Sequence, residues 1–150
     1  MTLDRRTLLV AGLAAATLPL AARAATPPVF TRDGAAISGT DPVAYFTQGG
    51  PVAGDPAITA DWQGATWRFA SGANRDRFLS DPARWSPAYG GWCAWAVSRG
   101  YTAKTEPEAW NIHEGRLFLN FDLALRRRFL RNLDANIARA DANWPAVLDA

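Results

Sequence analysis

Chemistry in this chain of 150 residues has to come from very few side chains, because Cys93, His113 and Met1 are each the sole example of their type. A lone thiol serves as nucleophile, redox group or soft-metal ligand once it ionises, and a lone imidazole serves as its base or as a second ligand. Cys93 follows Gly90-Gly91-Trp92, which puts it in the first turn of a short helix ending before Gly100, where free amides and the helix dipole favour a thiolate. The same helix gathers Tyr89, Trp92, Cys93, Trp95, Ala96 and Val97 into an arc of about 200°, a burial pattern that raises a thiol pKa and makes it inert. Both readings of Cys93 stay open at this level. His113 stands beside Glu114-Gly115 and reads as a surface hairpin residue. Were Cys93 and His113 to converge with a carboxylate such as Asp41 or Glu114, they could hold one copper-like soft ion with open positions. Tyr45 and Tyr89 are candidate polar handles of a pocket that Asp41, Trp92 and Trp95 would help to line. Asp41 itself reads first as a helix cap, and Trp62, Trp67 and Trp110 as core.

The composition excludes several classes. One cysteine and one histidine allow no intrachain disulfide, zinc finger or thiolate cluster. Residues 1–24 read as a twin-arginine export signal, cleaved after Ala24: Arg5-Arg6 precede the uncharged run Thr7–Ala22 and the small-residue end Ala22-Arg23-Ala24. Sixteen uncharged residues interrupted by Pro19 fall short of the roughly 20 that span a bilayer, so no permanent membrane span is expected. Cleavage takes Arg5, Arg6 and Arg23 from the 16 basic residues and Asp4 from the 14 acidic ones, leaving 126 residues with 13 charges of each sign. A neutral chain destined for the periplasm has no basic footprint for nucleic acid.

The elements that position the candidates follow from pattern. Residues 25–34 read as a linker. Asp41-Pro42 opens a short helix through Phe46, and Ser71 caps another that ends before Asp81-Pro82 with Phe78 and Leu79 turned inward. Gln63-Gly64 and Glu114-Gly115 are two-residue turns of two hairpins. In the first, Ile58, Ala60, Trp62, Ala65, Trp67 and Phe69 share the buried face. In the second, Trp110, Ile112, Leu117 and Leu119 are expected inside, with Asn111, His113, Arg116 and Phe118 on the other face. Asp122 caps one long amphipathic helix over about 122 to 139, whose Arg126, Arg127, Arg128 and Arg131 read as a solvated face rather than a patch for an anionic partner or lipid headgroups. The fold class is therefore α+β: a small single domain of two β-hairpins packed with short helices and a longer C-terminal helix.

Several ordered motifs resemble the YHS domain, in particular its exported bacterial branch: Gly39-Thr40-Asp41-Pro42-Val43-Ala44-Tyr45-Phe46, Gly64–Ser71, Phe78–Trp85, Pro87–Ser98, Gly115–Asn120 and Ala140–Pro145. The resemblance covers residues 35–148. It implies a link to copper transport and heavy metals, but metal-linked members carry Cys where this chain has Ala44 and Ala70. Of the name-giving Tyr-His-Ser, Trp67 stands near the Tyr, Ala70 at the His, and only Ser71 is kept. Related exported members can hold selenocysteine at the position of Cys93, which implies redox or soft-metal chemistry there. The expectation is an exported ligand-binding or accessory protein using Cys93, with His113 as a second ligand, for a soft metal ion or a small thiol. A thiol-dependent oxidoreductase with Cys93 as nucleophile, or an interaction module with a structural Cys93, are the alternatives.

Overall fold

The computed structural model describes residues 18–20 and 22–150; Arg5 and Arg6 lie outside them, and Ala24 lies in an exposed extended stretch. Among the described residues no helix is long and apolar enough to cross a membrane. Among the described residues three antiparallel hairpins and six α-helices, with three short 3-10 turns, make an α+β architecture.

The segment expected as a linker is instead built into the fold. Thr31–Arg32 (β1) pairs with Ala35–Ala36 (β2), and Val29 and Phe30 are buried just before it. Asp55–Trp62 (β3) pairs with Ala65–Phe69 (β4) in the expected register beside the turn, Trp62 opposite Ala65 and Ala60 opposite Trp67, but the register shifts between Asp55 and Thr59, so that Phe69 stands opposite Asp55 and not Ile58. Gln63 and Gly64 both have positive φ, 49° and 74°, as a type I′ turn requires. Trp110–His113 (β5) pairs with Arg116–Leu119 (β6), again as expected, with Glu114 and Gly115 at φ 49° and 75°.

The α-helices are short, and a side chain caps the N-terminus of four of them. Asp41 Oδ1 accepts from Val43 N at 2.8 Å at the head of Pro42–Thr47 (α1). Ser71 Oγ accepts from Asn74 N at 3.1 Å at the head of Gly72–Ser80 (α2). In α2 Phe78 is buried but Leu79 is 51% exposed, against expectation. Pro82–Trp85 (α3) and Ala94–Ser98 (α4) are single turns, and Cys93 is the N-cap residue of α4, one position ahead of the expected first turn. The long C-terminal helix is two helices, Leu123–Arg131 (α5) and Leu133–Asn143 (α6), broken at Asn132 (φ −140°, ψ 60°). Buried Asn136 accounts for the break: its Nδ2 donates to Phe129 O at 2.9 Å, satisfying a carbonyl that the end of α5 leaves free.

Two cores result, and β6 is the wall between them. Leu117 and Leu119 join Val43, Tyr45, Trp67, Phe69 and Phe78 on one side. Phe118 joins Tyr89, Val97, Phe129 and Ala140 on the other. The face of the second hairpin assigned to water is thus covered at Phe118 and Asn111, while Ile112 is 37% exposed. Leu117-Phe118-Leu119 is an unbroken apolar run, the pattern of a strand buried on both faces.

Candidate functional site

The thiol comes first. Cys93 is fully buried. Its backbone N donates to Ala103 O at 3.0 Å, Phe121 N donates to its Sγ at 3.2 Å, and the thiol faces Asn120 Oδ1 at 3.8 Å. Asn120 Oδ1 also accepts from Trp95 N at 3.1 Å, so Asn120 ties the start of α4 to the end of β6. Burial pushes the thiol pKa up; the N–H groups of Ala96, Phe121 and Trp95 pull the other way and do not overcome it. The five-residue α4 adds little dipole, so the activated thiolate loses to burial.

His113 is not near it. His113 pairs with Arg116, whereas Cys93 meets Asn120 four residues further along the same strand direction, roughly 13 Å away at about 3.3 Å per residue. The imidazole Nε2 lies 3.4 Å from Asp134 Oδ1 and 4.0 Å from Glu114 Oε1, both exposed carboxylates. The expected pairing of Cys93 with His113 around a soft ion is therefore corrected. Among the described residues no three His, Cys, Asp or Glu side chains converge on one point. The donor set at Cys93 does not fit a soft cation either, being one sulfur and one amide oxygen with a backbone N–H aimed at the sulfur.

Asp41 does more than cap α1. It is fully buried and its Oδ2 accepts from Ala70 N and from Asn74 Nδ2, each at 2.8 Å, while Oδ1 serves Val43 N and Ala44 N. Ala44 and Ala70 are thus brought to one carboxylate through their backbone N–H groups. Tyr45 is buried in the first core and donates to Pro107 O at 2.9 Å; burial raises its pKa. Trp92 donates its indole N–H to Pro27 O at 2.9 Å and packs on Phe30. The Trp95 ring lies under the Arg99 guanidinium at 4.2 Å. Asp41, Tyr45, Trp92 and Trp95 therefore hold the fold together at separate places, and of the expected pocket residues Tyr89 lines a cleft.

That cleft, about 210 Å³, is walled by Trp62, Tyr89 and Trp144, with Gln63 of the first hairpin turn and Ala83, Ser86 and Pro87 of the following connection at its rim. Tyr89 heads a run of three residues with positive φ, at 58°, 60° and 83° for Tyr89, Gly90 and Gly91. A non-glycine residue there costs about 1–2 kcal/mol. It is held by packing on Phe118 and Trp144 and by donation of its hydroxyl to Asp141 Oδ1 at 2.8 Å. Arg116 clamps the same carboxylate with two nitrogens, at 2.9 and 3.1 Å. Burial and the Asp141 hydrogen bond raise the Tyr89 pKa, so the phenol is a donor and not a base. Burial would raise Asp141, but Arg116 and Tyr89 outweigh it and hold the carboxyl below its ordinary range.

The glycine pair before Cys93 also has a specific task. A Cβ on Gly90 would lie 1.7 Å from Pro28 O, and one on Gly91 2.4 Å from Ile37 Cγ2. Gly90-Gly91 exists to admit residues 28–37 against the turn rather than to activate the thiol. A hollow of about 230 Å³ between residues 23–26 and 148–150 includes Arg23 and Ala24, and so would lose part of its wall on cleavage after Ala24.

Sequence reasoning missed Asn120, Arg116, Asp141 and the role of Trp144 as a cleft wall. Asn120 closes the Gly115–Asn120 motif and directly follows an apolar run, and neither signal gives it a partner. Comparison of the chain with models of protein families, with curated proteins and with solved structures finds no match.

Proposed function

We propose that the chain is an exported, YHS-like ligand-binding or accessory protein that takes a small uncharged aromatic ligand in the Trp62–Tyr89–Trp144 cleft, with Cys93 as an internal hydrogen-bonding node. The observation that carries this reading is Tyr89: a large residue kept in a left-handed conformation at the wall of a cleft, where strain is characteristically retained for function. No charged side chain lines the cleft, and its aromatic walls suit a flat apolar body while Gln63 and Ser86 supply hydrogen bonds at the rim. Export follows from the signal-like residues 1–24 and the accessory role from the YHS resemblance. The reading that uses Cys93 as nucleophile or metal ligand has against it a thiol with no exposed surface and a raised pKa.

The test is a titration of the 25–150 chain with uncharged one- and two-ring aromatic fragments, indole and phenol among them, followed by the tryptophan indole N–H resonances. Binding shifts Trp62 and Trp144 and leaves Trp110 unmoved. A fragment set that moves none of them, or only Trp92 and Trp95 near Cys93, overturns the assignment.

A further inference from the structure

Among the described residues most arginines are engaged, Arg23 and Arg68 aside, which stand alone on other parts of the chain. Arg32 and Arg116 are ion-paired with Glu106 and Asp141, and Arg84 and Arg99 lie over the rings of Trp85 and Trp95. Arg126, which sequence grouped with the solvated face of α5, turns back and donates its Nε to Trp110 O. Arg127, Arg128 and Arg131 differ: all three are exposed, and among the described residues none has an ion pair, a side-chain hydrogen bond or an aromatic ring beneath it. The nearest acidic residues along the chain are occupied, Asp122 in capping Leu125 N at 2.7 Å and Asp134 beside His113.

Their placement on α5 is ordered. Residues 123, 127 and 131 recur every four positions and drift by only about 40° per step, with 124 and 128 alongside, so Leu123, Ala124 and the three arginines form one stripe. Leu123 is 51% exposed at its leading end. The stripe is rigid because Phe129, on the opposite side of the helix, is fully buried in the second core. Neither of the two hollows described above is lined by α5.

We propose that this face of α5 is a contact surface for an anionic phospholipid membrane. Three uncompensated guanidiniums match a sheet of phosphates, to which arginine donates bidentately, and exposed Leu123 can enter the boundary between headgroups and acyl chains. An acidic peptide takes its register from a groove or pocket, and α5 lines neither of the described hollows, whereas a fluid lipid surface needs no register and matches the three guanidiniums by charge alone. The contact is peripheral and reversible, and it adds no membrane span. It is independent of the aromatic cleft, whose walls come from other elements.

The test is co-sedimentation of the 25–150 chain with vesicles of phosphatidylcholine alone or containing about 30% phosphatidylglycerol, enough to set up a negative surface potential. All buried side chains of the described fold lie between Val29 and Val147, so this chain keeps both cores and removes the apolar Thr7–Ala22 run, which would itself adsorb to lipid. Three arginines at about 1 kcal/mol each predict roughly 100-fold tighter association with the anionic vesicles at low salt, and most of it is lost when salt shortens the Debye length to about 3 Å. The triple variant Arg127→Gln, Arg128→Gln, Arg131→Gln loses the preference, the triple Lys variant keeps it, and both melt like wild type because the positions are exposed. Equal binding to both kinds of vesicle, an unchanged Gln variant, or tighter binding to a polyglutamate peptide than to anionic vesicles would overturn the proposal.

Discussion

Replacing Cys93 tests whether its thiol is a structural node. Cys93→Ala removes a sulfur with no exposed surface and leaves Phe121 N without its acceptor at 3.2 Å. A stranded buried donor costs about 1–3 kcal/mol, and the small void adds about 1 kcal/mol, so a loss of about 2–4 kcal/mol is expected. Cys93→Ser restores an acceptor for Phe121 N and a donor toward Asn120 Oδ1, and a Ser at the N-cap of α4 also suits the helix, so its cost is about 1 kcal/mol or less. Urea unfolding of the 25–150 chain measures both, with the slope unchanged if only native contacts differ. The pH dependence has a definite sign. A thiol whose folded pKa is raised contributes stability that is present below its unfolded value of about 8.5 and is lost as pH rises through the folded value. The margin of wild type over Cys93→Ser therefore narrows above pH about 8.5. Alkylation by iodoacetamide at neutral pH should proceed only through opening, at least about 100-fold slower than in urea for an opening of about 3 kcal/mol. Rapid labelling of the native protein, together with an Ala variant within about 0.5 kcal/mol of wild type, would refute the assignment of Cys93 to the interior.

Three more substitutions address the scaffold of the cleft. Gly90→Ala places a Cβ 1.7 Å from Pro28 O at φ 60° and breaks the Phe30 N to Gly90 O bond of 2.9 Å, so it should cost 3 kcal/mol or more, roughly the sum of αL strain, a hydrogen bond and partial loss of Phe30 burial. Gly64→Ala, at φ 74° with open space around it, should cost only about 1–2 kcal/mol in the same urea assay, and equal costs would contradict the role given to residues 28–30. Asp141→Asn should lose about 1 kcal/mol at pH 7, a modest figure because the Arg116 pair is 43% and 46% exposed. With its folded pKa depressed, Asp141 contributes fully above about pH 4 and loses that contribution as pH falls through the folded value, so the gap between the two proteins closes in acid. A gap that persists at pH about 2 would show that the carboxylate charge is not its source.

What the sequence revealed was set by local rules. The turns at Gln63-Gly64 and Glu114-Gly115, the strand pairing next to each turn and the caps at Asp41, Ser71 and Asp122 are decided within a few residues of chain, and the structure has each of them, whereas the register shift that sets Phe69 opposite Asp55 lies farther from its turn. What it concealed depends on contacts made far along the chain. Phe118 lies on the face of its strand that looked wet because α5 packs there, and the break at Asn132 depends on Asn136 reaching back to Phe129 O. The cleft joins residues from the first hairpin, the 83–90 connection and Trp144, and no spacing in the sequence links those three. For Cys93, periodicity and capping gave opposed signals, and burial won because α4 is too short to supply a strong dipole.

Fragment binding to three proteins puts recognition in the aromatic cleft to its most direct test: wild type, Ala83→Trp, which fills the cleft from its exposed rim, and Cys93→Ser. Heteronuclear chemical-shift titration should give wild type and Cys93→Ser the same affinity for the uncharged aromatic fragment that binds best, with shifts around Trp62, Tyr89 and Trp144, and Ala83→Trp should lose binding by at least about tenfold, or 1.4 kcal/mol. Undiminished binding by Ala83→Trp, or binding that disappears with Cys93→Ser, would contradict the account and return the chemistry of this protein to its thiol.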